Sequence, residues 1–194
     1  MRHAILVLIA AMALLLGWRV SSIGAAGRRL HEKEIAGRAM AEKILRAELA
    51  RQQSPPPGAR VAPYEYLSAL VDERRIDGLE RAVVADRDCW RAGAYLFHVR
   101  LLNKIGWPLA MPPAEPAKEP EFGQRFELWA WPAESADVAL GLFFASQGGY
   151  LLQGENGKFA GPQARPDNGG SPLQKLNEMT GANDDWIMLK KVRE

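Results

Sequence analysis

Pro55-Pro56-Pro57, preceded by Ser54 and closed by Gly58, is the break around which the rest of the chain must be arranged. Prolines have no amide hydrogen to donate, and a run of them favours an extended backbone, so no helix passes through this segment. Before the break, apolar residues recur at helical spacing. From about residue 94 they recur at every second position. The charge divides at the same place: residues 1–60 carry a net +6 and residues 61–194 a net −4, giving +2 in all. With 194 residues there is room for one domain and an appendage. A net acidic body argues against nucleic acid as a partner. A hydrophobic share of 47% excludes wholesale disorder, and the single cysteine, Cys89, excludes an intrachain disulfide.

After Met1-Arg2-His3 the chain is apolar without interruption from Ala4 to Trp18, through Ile5, Leu6, Val7, Leu8, Ile9, Leu14, Leu15 and Leu16. Two readings fit. Extended to Ala26, the run reaches about 23 residues, enough to cross a ~30 Å hydrocarbon core as an anchor. Trp18 and Arg19 then suit a headgroup position. Alternatively, the run is the core of a secretion signal, cleaved among Ser22, Gly24, Ala25 and Gly27. The anchor is preferred, because no polar break separates the run from the next helix. Residues 1–27 are therefore assigned to an anchor or signal. Residues 28–53 form an amphipathic helix with Leu30, Ile35, Met40, Ile44, Leu45 and Leu49 on one stripe. Glu34–Arg38 and Glu42–Arg46 are spaced for i,i+4 pairs. Residues 54–62 form the proline joint.

The body, residues 63–194, opens with a short helix over Pro63–Arg75. Strand alternation follows: Tyr95, Phe97, Val99 and Leu101 oppose His98 and Arg100, and Phe126, Leu128 and Ala130 oppose Glu127, Trp129 and Trp131. Leu140–Ser146 and Tyr150–Gln153 read as a hairpin about Gln147-Gly148-Gly149, and Trp186–Val192 as a last strand. Pro108–Pro120 reads as a surface loop. Ser171-Pro172-Leu173-Gln174 begins a further short helix that Gly181 ends. The expected fold class is α+β: a long, membrane-anchored N-terminal helix, then a small antiparallel β-meander with short helices.

Several short motifs accompany this order: Tyr64-Glu-Tyr-Leu-Ser-Ala-Leu70, Ile76-Asp-Gly78, Gly93-Ala-Tyr95-Leu-Phe97, Ala130-Trp131-Pro132, Gly141-Leu-Phe-Phe144 and Gly149-Tyr150. Together they resemble the pilin-like proteins of bacteria, the class of type IV pilins and type II secretion pseudopilins. The resemblance implies a pilin-like body, exported to the cell envelope and meeting other envelope or pilin-like proteins. Counting positive charges alone would keep the body in the cytoplasm, since Arg19, Arg28, Arg29, Lys33 and Arg38 all follow the run. The reading adopted is export, on a single span in the cell membrane. One departure is plain. Pilin precursors carry Gly-Phe-Thr-Leu and a Glu at the start of the apolar run, whereas this chain reads Met1-Arg-His-Ala-Ile-Leu6 with no acidic residue before Glu32.

The search for chemistry yields little. A Cys–His nucleophile would need Cys89 against His98 or His31. No histidine pair has metal spacing, and no cofactor is expected. By analogy with calcium-holding pseudopilin loops, Asp167, Asn168, Asp184 and Asp185 are weak candidates for a hard cation. Trp107, Trp129 and Trp131 are candidates for an exposed aromatic partner surface. The expected function is a non-enzymatic, membrane-anchored structural or protein-interaction component. The alternative is an exported, signal-cleaved domain that binds a ligand on its aromatic sheet face.

Overall fold

A computed structural model describes residues 2–53, 64, 66–82, 84, 88–103, 105, 106, 108, 125–137, 139–169, 172 and 186–192, with the side chains of 2–23, 168 and 169 excluded. Helix α1, Arg2–Gln53, is continuous over 52 residues, about 78 Å at the ordinary helical rise. It stops at the proline joint, as the missing amide hydrogens require. Its described part turns a narrow face inward. Gly37, Ala41, Ile44, Leu45, Glu48 and Leu49 are buried, while Leu30 and Met40 are half-buried at the margin. Ile35, placed on the stripe by its spacing, is 53% exposed, because the sheet covers less of the circumference than the stripe occupies.

Polar links fix this helix to the body along its length. Lys33 Nζ lies 2.6 Å from Asp137 Oδ1, Lys190 Nζ 2.6 Å from Glu42 Oε1, and Arg51 Nη2 3.0 Å from Glu73 Oε1. Lys43 pairs with Asp77, and Tyr64 Oη donates to Gln52 Oε1 at 2.7 Å. Glu42 also holds Arg46 at 2.7 Å, as expected from the spacing, whereas Glu34 reaches across to the body.

Hydrogen bonds from Lys190 and then Arg46 hold the Glu42 carboxyl below the usual 4.5. Burial would push Glu73 up, but Arg75 and Arg51 outweigh it and its net displacement is also downward. A depressed carboxylate stabilises the fold fully above its unfolded value and ceases to do so as pH falls through the lower native one. The urea midpoint should therefore drop between pH 5 and pH 3. The Glu42→Gln/Glu73→Gln chain should lose part of that drop, at about 0.2–1 kcal/mol per pair. An unchanged acid slope in urea titrations of the variant would remove these two groups from the account.

The body is one antiparallel sheet of seven strands: β1 Glu80–Arg81, β2 Cys89–Ala92, β3 Tyr95–Leu102, β4 Arg125–Pro132, β5 Leu142–Ser146, β6 Tyr150–Gly154 and β7 Trp186–Lys191. Each strand pairs with the next in the chain, so the order is a plain meander. A short helix α2, Leu67–Asp72, buries Leu67 and Leu70 beside α1. One sheet face carries Tyr95, Phe97, Val99, Leu101, Phe126, Leu128, Ala130, Phe143 and Leu151 against α1 and α2. The opposite face carries a second core, Leu96, Trp129, Trp131, Leu142, Phe144 and Leu152, with Phe159 and Trp186 against it.

The expected fold class is therefore corrected. In place of a small pilin-like meander with several short helices, the described residues form one seven-stranded sheet and one long helix, with little else among them. Strands β1 and β2 extend it beyond the meander read from the sequence. Among the described residues no helix is long and apolar enough to cross a membrane, so the membrane-anchored part of that expectation finds no support in them. The side chains assigned to the anchor, Ile5 through Trp18, lie outside the described residues, as do the Pro108–Pro120 loop after Pro108 and most of the Ser171–Gly181 helix.

Candidate functional site

Where α1 crosses the end of the sheet nearest β7, an open hollow of about 390 Å³ remains. Glu34 enters it from the helix and Ile187 from β7. Ala139, Gly141, Gln153, Gly154, Glu155 and Asn156 line the rest. Glu34 is positioned by the body itself: its Oε1 accepts the Gly141 amide hydrogen at 3.0 Å and a Gln153 Nε2 hydrogen at 2.9 Å. A Cβ at 141 would lie 2.9 Å from both Glu34 Oε1 and Gln153 Nε2 and 3.2 Å from the Gly154 carbonyl oxygen, so a side chain there would displace the ends of Glu34 and Gln153. On the far side of that glycine, Tyr95 Oη donates to the Gly141 carbonyl at 3.1 Å. Burial, and then the charges of Glu34 and Asp137, push the Tyr95 hydroxyl upward, so it stays a protonated donor.

The hollow thus has an acidic wall, from Glu34 and Glu155, next to the apolar side chain of Ile187, which is 67% exposed. Met188, 52% exposed, follows it on the terminal strand of the sheet and lies on the opposite face, across from Leu152. Lys190 and Lys191 come at the end of the same strand. This arrangement suits the capture of an extended segment, which can add to a sheet edge through its own backbone while a side chain enters the hollow.

The residues singled out from the sequence fall elsewhere. Trp129 and Trp131 are buried, so the expected aromatic partner surface is corrected to a core. The strand alternation that places them on one face is present, but both sheet faces are covered. Trp129 packs edge-on to Phe144 at 5.0 Å and to Trp186 at 6.1 Å, and Trp131 Nε1 donates to the Gly161 carbonyl at 2.9 Å. Trp107 lies outside the described residues.

Cys89 and His98 do meet. They stand directly opposite each other on β2 and β3, and His98 Nδ1 is 3.2 Å from the Asp88 carbonyl, which can only accept. Cys89 is nevertheless only 1% exposed, which closes it to a substrate. For the calcium candidates, Asp167 is buried with its carbonyl accepting from Arg100, while Asp184, Asp185 and the Asn168 side chain are outside the described residues. Among the described residues, no group of three His, Cys, Asp or Glu side chains is placed to hold a metal ion.

Sequence reasoning misses Glu34, Gln153 and Ile187 as a set. Their juxtaposition depends on a helix meeting strands more than 100 residues away, which no local pattern records. No family model, no curated protein and no solved structure matches the chain. The resemblance to pilin-like proteins draws no support from these comparisons.

Proposed function

We propose that this chain is a non-enzymatic protein-interaction component of the cell envelope, held at the membrane by its N-terminal segment and docking partner protein at the β7 edge and the hollow beside it. The observation that carries the docking reading is the exposed Ile187 at the mouth of an acidic hollow on the terminal strand of the sheet, with the exposed Met188 next to it on the other face of that strand. The membrane reading is supported by the uninterrupted apolar run from Ala4 to Trp18 and by the exposed Arg28 and Arg29 just after it, which suit anionic headgroups. On this reading the body lies on the outer side of that membrane.

A photo-crosslinking residue at position 187, introduced into cells, is expected to yield a discrete protein adduct that the same residue at exposed Glu80, on the opposite edge, does not. Equal labelling at both positions, or none at 187, defeats the docking reading. For topology, a phosphatase joined after Glu194 should be active in the envelope; an inactive fusion would overturn the outward placement.

A further inference from the structure

We infer that the occupant of the β7 edge is a second copy of this chain, joined β7 to β7 in antiparallel fashion about a two-fold axis. The inference rests on the docking reading and names its partner. Residues directly opposite in an antiparallel pair share a face. A regular strand pairing with its own copy must therefore match positions an even number apart, since successive side chains alternate.

In β7 that parity is shifted. Lys190 lies opposite Leu151 while Met188 lies opposite Leu152, so Leu189 is an extra residue in the strand. As a result Ile187, opposite Gln153, and Lys190, opposite Leu151, share the helix side although they are three apart. The Lys190–Glu42 ion pair lies on that side too. Trp186 and Lys191, five apart, share the other side: Trp186 is edge-on to Trp129, and Lys191 Nζ sits 4.9 Å above the Tyr150 ring. A register that sets Ile187 against Lys190 of the other copy, and Trp186 against its Lys191, therefore matches faces at both ends, while the extra residue Leu189 of each copy falls opposite Met188 of the other at the centre, where the faces do not match.

Charge selects the same register. The cationic end of one copy, Lys190-Lys191, comes to the end of the other that carries Glu34 and Glu155 around the hollow. In sequence the strand is preceded by Asp184-Asp185, so it is acidic before and basic at its close. The lysine opposite Trp186 also gains an indole face. Lysines on an edge strand discourage pairing with unrelated strands. With this one partner they find acidic counterparts, and Ile187 and Met188 of both copies leave water together. The contact is isologous and closed, so it stops at two chains.

The test is sedimentation velocity on the purified full chain in detergent micelles over a concentration series. The expected result is a reversible monomer–dimer equilibrium. Ile187→Lys sets like charges opposite Lys190 twice per dimer and should raise the dissociation constant at least about tenfold. Ile187→Glu, at the same exposed site and equally polar, should leave it within about threefold or tighten it. A wild-type chain that stays monomeric, or two variants that behave alike, overturns the inference. If the chain is monomeric while a crosslinker at 187 still captures a different protein in cells, self-pairing fails and the docking reading stands. If the crosslinker captures nothing, both fail.

Discussion

Arg100→Met is expected to destabilise the fold by about 3–5 kcal/mol, the usual consequence of leaving one member of a buried ion pair behind. Arg100 and Glu127 are directly opposite on β3 and β4, on the face turned away from α1. The guanidinium reaches Glu127 Oε2 through Nη2 at 2.5 Å and Nε at 3.1 Å. Glu127 is 3% exposed, and its remaining described support is a 3.4 Å hydrogen bond from Trp129 Nε1. Methionine fills similar length without charge, so the carboxylate loses its counter-ion but not its burial. The third tie, from Arg100 Nη1 to the Asp167 carbonyl at 2.9 Å, closes the segment that covers this face.

The double change Arg100→Met/Glu127→Leu should recover most of the loss, because replacing both ions with apolar groups removes the uncompensated charge. Some deficit should persist from the lost Asp167 tie. Urea denaturation of the wild type, both single variants and the double variant measures the coupling. A single-variant loss below about 1 kcal/mol would mean that the pair behaves as an exposed one.

Gly37→Ala tests the helix–sheet contact in the opposite way, by adding an atom. Gly to Ala inside a helix ordinarily gains up to about 1 kcal/mol. Here a Cβ at position 37 would sit 2.5 Å from Tyr95 Cε2 and 2.9 Å from Cγ, distances no real Cβ adopts. The Tyr95 ring cannot easily yield. It is fully buried, lies 5.3 Å from the Phe143 ring centroid, and is tied through its hydroxyl to Gly141. The expected cost is about 1–3 kcal/mol, typical of an overfilled core. Gly27→Ala, on the same helix with nothing within 4 Å of its Cβ, should keep the ordinary favourable sign. Thermal or urea unfolding of the two variants side by side provides the measurement; equal effects of either sign would show that the α1–Tyr95 contact is not a fixed one.

Local pattern makes much of this architecture legible. The stop of α1 follows from Pro55–Pro57, and the strands around Tyr95, Phe126, Leu142, Tyr150 and Trp186 follow from alternation and turn residues. Strands β1 and β2 escape because they are two and four residues long and flank the charged stretch at Asp86 to Asp88, where no alternation has room to develop. The outer face misleads for a different reason. Glu127, Trp129 and Trp131 look like an exposed polar–aromatic row until Gly161 and Asp167 are seen to lie over it. The hollow at Glu34 is illegible for the same reason that the Gly37 contact is: each depends on one residue of the helix meeting strand or turn residues far along the chain. The shifted parity of β7 is likewise invisible locally, because a bulge is defined only by the neighbour it pairs with.

The meander joins neighbours in order, whereas α1 is linked to residues 104 to 148 positions further on, through Asp137, Gly141 and Lys190. Within these residues α1 is thus made before the sheet that encloses it. At about 5–20 residues per second, the interval between emergence of Glu42 and of its Lys190 partner is on the order of 7–30 s. Until β4 to β6 have been made, Ala41, Ile44, Leu45 and Leu49 face solvent, lipid or a chaperone instead of their sheet. Assembly of this protein is therefore a matter of keeping a finished helix waiting until its platform, strand by strand, has been built.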